Sequence, residues 1–505
     1  MTQSDLFLGL DLGTSSTKAV LLSADGALIA EAQADHPVSY PRSGWSEQDP
    51  SDWWKSCVSA TKSVLDRAGG NAGDRVAAIG LSGQMHGLVV LDATGKVLRP
   101  CILWNDSRSA EICDRWMRSP GLPELLRTTG NRVFPGFQAP KLQWVKEHEP
   151  EIFAATTHAL LPKDWLRYRL SGVMMGEPSD ASGTGVFDCA HRTWSTDLLQ
   201  RLGFRRSLFP DIAESPVHSA TLSAEAARAL GLRAGIGIAG GAGDQAAGAV
   251  GSGIVEEGTV SCVIGTSGVV FAPSAKWRAT ANGELHAFCH AVPNKWHLMG
   301  VVLSAGGSLR WFRDHLASDT IELAKQRGVD PYEILAQRAA AASPGARGLV
   351  FLPYLTGERC PIPDAHMRGG FLGLDVSHTR DDATRAVFEG ITFALAGNIA
   401  LLRELGLSIN RVRLSGGGAR SLFWRQLCAD AFDAEIALLE SDAGAATGAA
   451  ILAAVGAGAF VSVEAACRAT ARERECISPG KDASRLARAH AKFDEATRHA
   501  QGFRH

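Results

Sequence analysis

No window of the 505-residue chain approaches eighteen uninterrupted apolar residues, so the sequence predicts no transmembrane helix. The opening MTQSDLFLGLDLG lacks a basic stretch followed by a long apolar run, which predicts no signal peptide. Net charge is almost absent. The 51 Lys and Arg against 53 Asp and Glu leave −2, which removes any global electrostatic case for nucleic acid or an anionic membrane as partner. The ten cysteines include no CxxC pair, so neither a disulfide framework nor a zinc site is expected. The nearest approach to a metal set is His286, Cys289 and His290, with His297 beyond. No CxxC or HExxH pattern accompanies them, and polar residues on strands or loops is the simpler reading. Taken together these absences predict a cytoplasmic protein with reduced thiols.

Familiar catalytic and nucleotide signatures are missing too. No GxxxxGK[ST] occurs, the opening strand carries GLDLGT in place of GxGxxG, and there is no GxSxG elbow. What is present is an alternation of short apolar runs with helix-like segments, the pattern of α/β domains. With 45% apolar and 21% charged residues, a chain of this length accommodates two or three such domains. Strands are predicted at 6–12, on both sides of Asp25-Gly26 and of Thr94-Gly95, and at 75–83, 235–245, 260–271 and 411–416. Helices are predicted at 380–406 and 422–432, and throughout the last fifty residues.

One device occurs twice. LDLGTSS (10–16) and CVIGTSG (262–268) each run an apolar strand into Gly-Thr-Ser. Each is either a plain hairpin turn or a concave set of backbone amides and hydroxyls suited to a polyphosphate, with Lys18 adding charge beside the first. Asp11 ends an otherwise apolar strand, where a carboxylate is costly unless it meets hydrogen-bond donors or a cation such as Mg²⁺. Asp244, in GGAGDQAAG, is either a helix cap or a carboxylate that orients an attacking hydroxyl. SGQMHG (82–87) brings Met85 and His86 to the end of a buried strand, and WNDSRS (104–109) and PKDW (162–165) mix aromatic and hydrogen-bonding groups as sugar pockets and surface loops both do. SGGGARS (415–421) offers bare backbone to a flat group, with Ser421 as a hydrogen-bonding hydroxyl.

These blocks, with APKLQW (139–144), FLPYLTGERCP (351–361), GGFLGL, RAVFEGITFAL and AGAATGAA, resemble the FGGY family of carbohydrate kinases over about residues 6–458. Met85-His86, WNDSR and GGGARS are most similar to its ketopentose kinases, the xylulokinase branch. The resemblance implies a duplicated actin-like ATPase (ribonuclease H-like) α/β fold, with domains 1–252 and 253–505 flanking a central cleft. It further implies ATP and Mg²⁺ as cofactors, Asp244 as general base and Asp11 as the Mg²⁺ carboxylate. Met85, His86, Asp244 and Gln245 would line the sugar pocket. Gly13, Thr14, Ser15, Gly265 and Thr266 would cradle phosphates, and Gly306, Arg310, Gly417 and Ser421 would surround adenosine. The implied reaction is phosphorylation of a ketopentose, D-xylulose at O5, with a homodimer as a further family analogy. Gln245 where Asn is frequent, and Ser107 where Gly is usual, leave ribulose, a ketohexose or glycerol open as substrates. A catalytically idle sugar sensor is the rival from outside enzymology.

Overall fold

The computed structural model describes residues 5–440 and 444–501, and two seven-stranded sheets dominate it. The first is built from β1 (Leu6–Leu12), β2 (Ser16–Ser23), β3 (Leu28–Asp35), β4 (Val76–Gly83), β5 (His218–Thr221) and β6 (Gly237–Ala239). Their order is β5-β6-β4-β1-β2-β3, and Ala242–Gly243 adds a short seventh strand beside the end of β4. The second contains β7 (Gly258–Ile264), β8 (Gly268–Ser274), β9 (His286–Cys289), β10 (Trp296–Val302), β11 (Ile409–Gly416), β12 (Glu435–Leu439) and β13 (Glu473–Ile477), ordered β9-β10-β8-β7-β11-β12-β13.

The two sheets repeat one plan. In each, an antiparallel hairpin (β1–β2, β7–β8) leads to a parallel pairing of its first strand (β1–β4, β7–β11). A second parallel strand and an antiparallel edge strand then complete each series (β6 and β5, β12 and β13). Burial on both faces explains the near-continuous apolar run LFLGLDL of β1, whereas VSCVI of β7 alternates, with Val260, Cys262 and Ile264 buried and Ser261 and Val263 turned to the other side. The echo of Gly-Thr-Ser is therefore a structural duplication.

Most expected elements form where the pattern puts them. Arg380–Glu404 is one helix opened by a Thr379–Asp382 capping box, and Leu422–Phe432 is another. The apolar stretch of Arg380–Glu404 is long enough to cross a membrane by composition, but 83% of that window is buried in the second core. Two expectations change. The hairpin around Gly95 reduces to a single Leu91–Val97 bridge, because Val89–Leu91 pairs instead with His158–Leu160. The last fifty residues are also not all helical. ERECI at 473–477 alternates faces as β13, an edge strand whose charged residues discourage further pairing.

The halves meet through small residues. The helix Ala445–Gly456 (AATGAAILAAVG) lies across β1 and β4 and against the helix Asp244–Gly251. A Cβ at Gly9 or Gly80 would overlap the carbonyl oxygens of Ala446 and Ala449, and one at Gly448 would overlap that of Ala247. Only glycine allows backbone to approach backbone this closely. Ala443, the first residue of AGAATGAA, lies outside the described residues.

Candidate active site

The carboxyl ends of parallel strands are where open α/β sheets bind ligands, and the singled-out acids gather there. Asp11 near the end of β1 is in register with Ser82 of β4, which is in register with Ala242, two residues before Asp244. Neighbouring strands about 5 Å apart put the backbones of Asp11 and Ala242 on the order of 10 Å apart, with Asp244 just beyond. Each carboxylate feels the arrangement. Burial raises the Asp11 carboxyl, opposed by the Ser82 hydroxyl and the charge of Lys18. Burial, then the charge of Asp11, lifts Asp244 to about 7, against the backbone and side chain of Gln245. Asp11 Oδ1 is buried without a hydrogen-bond partner. A carboxylate oxygen left in that condition fits a hard divalent cation or the water bound to one.

The Gly13-Thr14-Ser15 turn joins β1 to β2, and its carbonyls are held from behind. Gly13 O accepts from His36 Nε2 (3.2 Å) and Gln84 Nε2 (3.4 Å), and Thr14 O from Gln48 Nε2 (2.6 Å). Ser15 O accepts the His36 amide at 2.9 Å. The second turn, between β7 and β8, has the same construction. Gly265 O accepts the Gly306 amide (2.9 Å), and Thr266 O accepts those of Ala305 (3.0 Å) and Gly307 (2.9 Å). In both, the glycine amide closes the turn, on Ser16 O at 3.0 Å and on Ser267 O at 2.9 Å. The amides of Thr14, Ser15, Thr266 and Ser267 have no hydrogen bond among the described residues, which leaves two preset concave donor sites. Gly306 thus acts as the backing of the second turn, where a Cβ would overlap Gly265 O. Lys18 shares the neighbourhood of Asp11, but its ammonium pairs with Glu31 at 2.8 Å.

Asp244 and Gln245 open the helix Asp244–Gly251 and line a cleft of about 710 Å³. Its far wall comes from the second half, with Ser415, Gly416, Ala419 and Arg420 of the glycine-rich segment and Val263 of β7. Gly417 and Ser421 flank those lining residues. Ser421 caps the helix Leu422–Phe432, accepting from the Trp424 amide at 3.3 Å. Arg310 is exposed on the helix Gly306–Leu316, apart from that lining. Arg420 lines the cleft although the motif reading passed over it.

The chain belongs to the FGGY family of carbohydrate kinases. Its N-terminal-domain model matches residues 6–251 and its C-terminal-domain model residues 260–457. Xylulose kinase of Escherichia coli (strain K12) is 41% identical over 453 residues, 90% of each chain. Xylulose kinase of Bacillus subtilis (strain 168) is 39% identical over 472 residues, 94% of this chain and 92% of its own. The crystal structure of xylulose kinase from Rhodospirillum rubrum superposes with a TM-score of 0.91 at 30% identity, covering 98% of this chain and 99% of that one.

Behind the Asp244 helix of this FGGY protein, SGQMHG packs into the fold. Met85 is buried against Gly243, where a Cβ would touch its Cγ and Sδ. His86 adopts a positive φ of 72°, a strained backbone for a non-glycine residue. Its ring stacks on Phe137 at 4.9 Å, and Nδ1 lies 2.7 Å from Gly183 O. A carbonyl only accepts, so Nδ1 carries the proton and Nε2 is left as an acceptor. Burial pushes the imidazole down to about 3, so it stays neutral.

The other aromatic motifs divide. In WNDSR, Asp106 binds the Arg108 guanidinium twice (2.9 and 2.7 Å), and Arg108 lies 3.7 Å over Trp45, which makes the pair structural. Trp104 is the exception. It is 44% exposed, and its Nε1 donates to Thr14 Oγ1 at 3.0 Å, tying this loop to the first turn. PKDW is core: Lys163 is fully buried against Asp164 at 2.7 Å, and Trp165 meets Trp53 edge-on at 5.8 Å.

Proposed function

We propose that this FGGY kinase transfers the γ-phosphoryl group of ATP to the terminal hydroxyl of a ketopentose, D-xylulose at O5, in the cytoplasm. The products are ADP and D-xylulose 5-phosphate. The observation that carries the reading is Asp244: a carboxylate lifted to about 7, within electrostatic reach of a second carboxylate, on a cleft shared by both halves. The names of the relatives support the choice of sugar.

In this reading the halves, 1–252 and 253–505, divide the work. Met85 offers an apolar wall to the sugar carbons, while His86 Nε2 and Gln245 fix its hydroxyls. Asp244 accepts the hydroxyl proton as the oxygen attacks, and its elevated pKa brings it close to the working pH. The free amides of the two Gly-Thr-Ser turns grip the phosphate chain, and Gly417 and Ser421 with Arg420 flank the adenosine. Mg²⁺, when bound, would supply charge neutralisation at the phosphate oxygens, and Asp11 would be the carboxylate that holds it. Catalysis is then mostly alignment in a closed, water-poor cleft.

An ADP-release assay with D-xylulose, D-ribulose, a ketohexose and glycerol tests the reading. The highest kcat/KM is expected for D-xylulose. A higher value for another acceptor overturns the substrate, and ATP hydrolysis indifferent to every sugar overturns the kinase.

A further inference from the structure

FLPYLTGERCP carries an arginine that approaches the aromatic cluster around His86. Arg359 comes from the second half, and its Cζ lies 5.2 Å from the ring centre of Phe134. Phe134 meets Phe137 edge-on at 5.7 Å and His286 at 5.2 Å, and Phe137 is the ring that stacks on His86. The guanidinium is close enough for its charge to disfavour protonation of both His86 and His286.

Half-buried, this guanidinium has no hydrogen bond and no ion pair among the described residues. Burial accordingly lowers its pKa. The adjacent carboxylate does not serve it. Glu358 Oε1 accepts instead from the backbone amides of Leu303 (3.0 Å) and of Arg359 itself (2.7 Å). Five N–H donors held in a fixed fork, unmet by protein and still reached by solvent, are available to a ligand.

We propose that Arg359 is a sugar-binding residue supplied by the second half, its guanidinium donating to hydroxyl oxygens of the acceptor polyol beside the His86–Phe137–Phe134 cluster. The inference rests on the kinase reading and deepens it. A planar fork suits two neighbouring hydroxyl oxygens better than the point charge of a lysine does. Its anchorage adds a consequence. Leu303, bound by Glu358, stands two residues before Ala305, whose amide and those of Gly306 and Gly307 back the second Gly-Thr-Ser turn. Ser308 Oγ also donates to Pro353 O at 3.1 Å. Arg359 and that turn therefore belong to one block, and a sugar held by Arg359 draws the phosphate turn with it.

The test uses full-length Arg359→Gln and Arg359→Lys. Sugar and ATP KM, sugar binding by calorimetric titration without nucleotide, and melting temperature are measured for each. Loss of charge-assisted hydrogen bonds is expected to raise the sugar Kd and KM about tenfold or more in Arg359→Gln. The ATP KM should stay within about twofold and Arg359→Lys should recover only part of the affinity. A wild-type sugar Kd in Arg359→Gln overturns the proposal, as does an equal rise in both KM values with a lowered melting temperature. If the wild-type protein phosphorylates no sugar, the kinase reading fails. If it turns over normally and Arg359→Gln does too, only this inference fails.

Discussion

Asp244→Asn separates chemistry from stability. The carboxyl rises from 3.8 to about 7 in the folded protein, about 3 units, and each unit corresponds to about 1.4 kcal/mol. A raised acid is favoured while protonated: its contribution is intact below about pH 4 and is lost as pH climbs to about 7. At pH 8 the native chain therefore carries up to about 4 kcal/mol of ionisation cost from burial and the neighbouring Asp11. Asp244 is only partly withdrawn from the cleft, so water screens a share of this, and about 1–4 kcal/mol is expected back on substitution. For a chain of this length that is about 1–4 °C in melting temperature at pH 8, shrinking toward zero near pH 4. Turnover should fall about 10²–10⁴-fold, the usual worth of a positioned base, with sugar binding kept. Calorimetric melts across pH, alongside ADP release, read both. A variant with near-native turnover, or one that gains no stability at alkaline pH, refutes the reasoning.

The same titration governs the wild-type rate: kcat/KM should fall tenfold per pH unit below about 7 as Asp244 takes up its proton, visible in a pH–rate profile. Asp11→Asn should raise the Mg²⁺ concentration needed for half-maximal rate at least about tenfold, because an acceptor-only carboxylate is replaced by an amide; a metal titration measures it. Trp104→Phe keeps the ring and removes the bond to Thr14 Oγ1, so a loss of about 0.5–1.5 kcal/mol is expected, read as a rise in KM for sugar or ATP. Gly80→Val should cost about 3 kcal/mol or more by overpacking against Ala449 O, measured by denaturant unfolding.

How much was legible depended on how local the cause was. The two strand–turn–strand units, the Asp244 loop and the helices at 380–404 and 422–432 are written in runs of adjacent residues, and the structure forms them there. What holds the first turn is not local. His36, Gln48 and Gln84 lie 23, 34 and 71 residues from the carbonyls they bind, and nothing in their own neighbourhoods announces the task. WNDSR stayed open between pocket and loop because the Asp106–Arg108 pairing over Trp45 is visible only in tertiary contact, as is the bond from the exposed Trp104 to Thr14. ERECI read as helix because charge and alanine surround it, and its alternation mattered only once Glu435–Leu439 offered an edge. Lys18 shows the converse, a charge well placed in sequence but engaged by Glu31.

The contact at Gly9, Gly80 and Gly448 has a mechanical consequence. Main chain lies on main chain there, with Ile451 and Leu452 packed in one cluster with Phe7, Val20 and Leu22, so a single methyl added at any of these glycines would wedge the two halves apart.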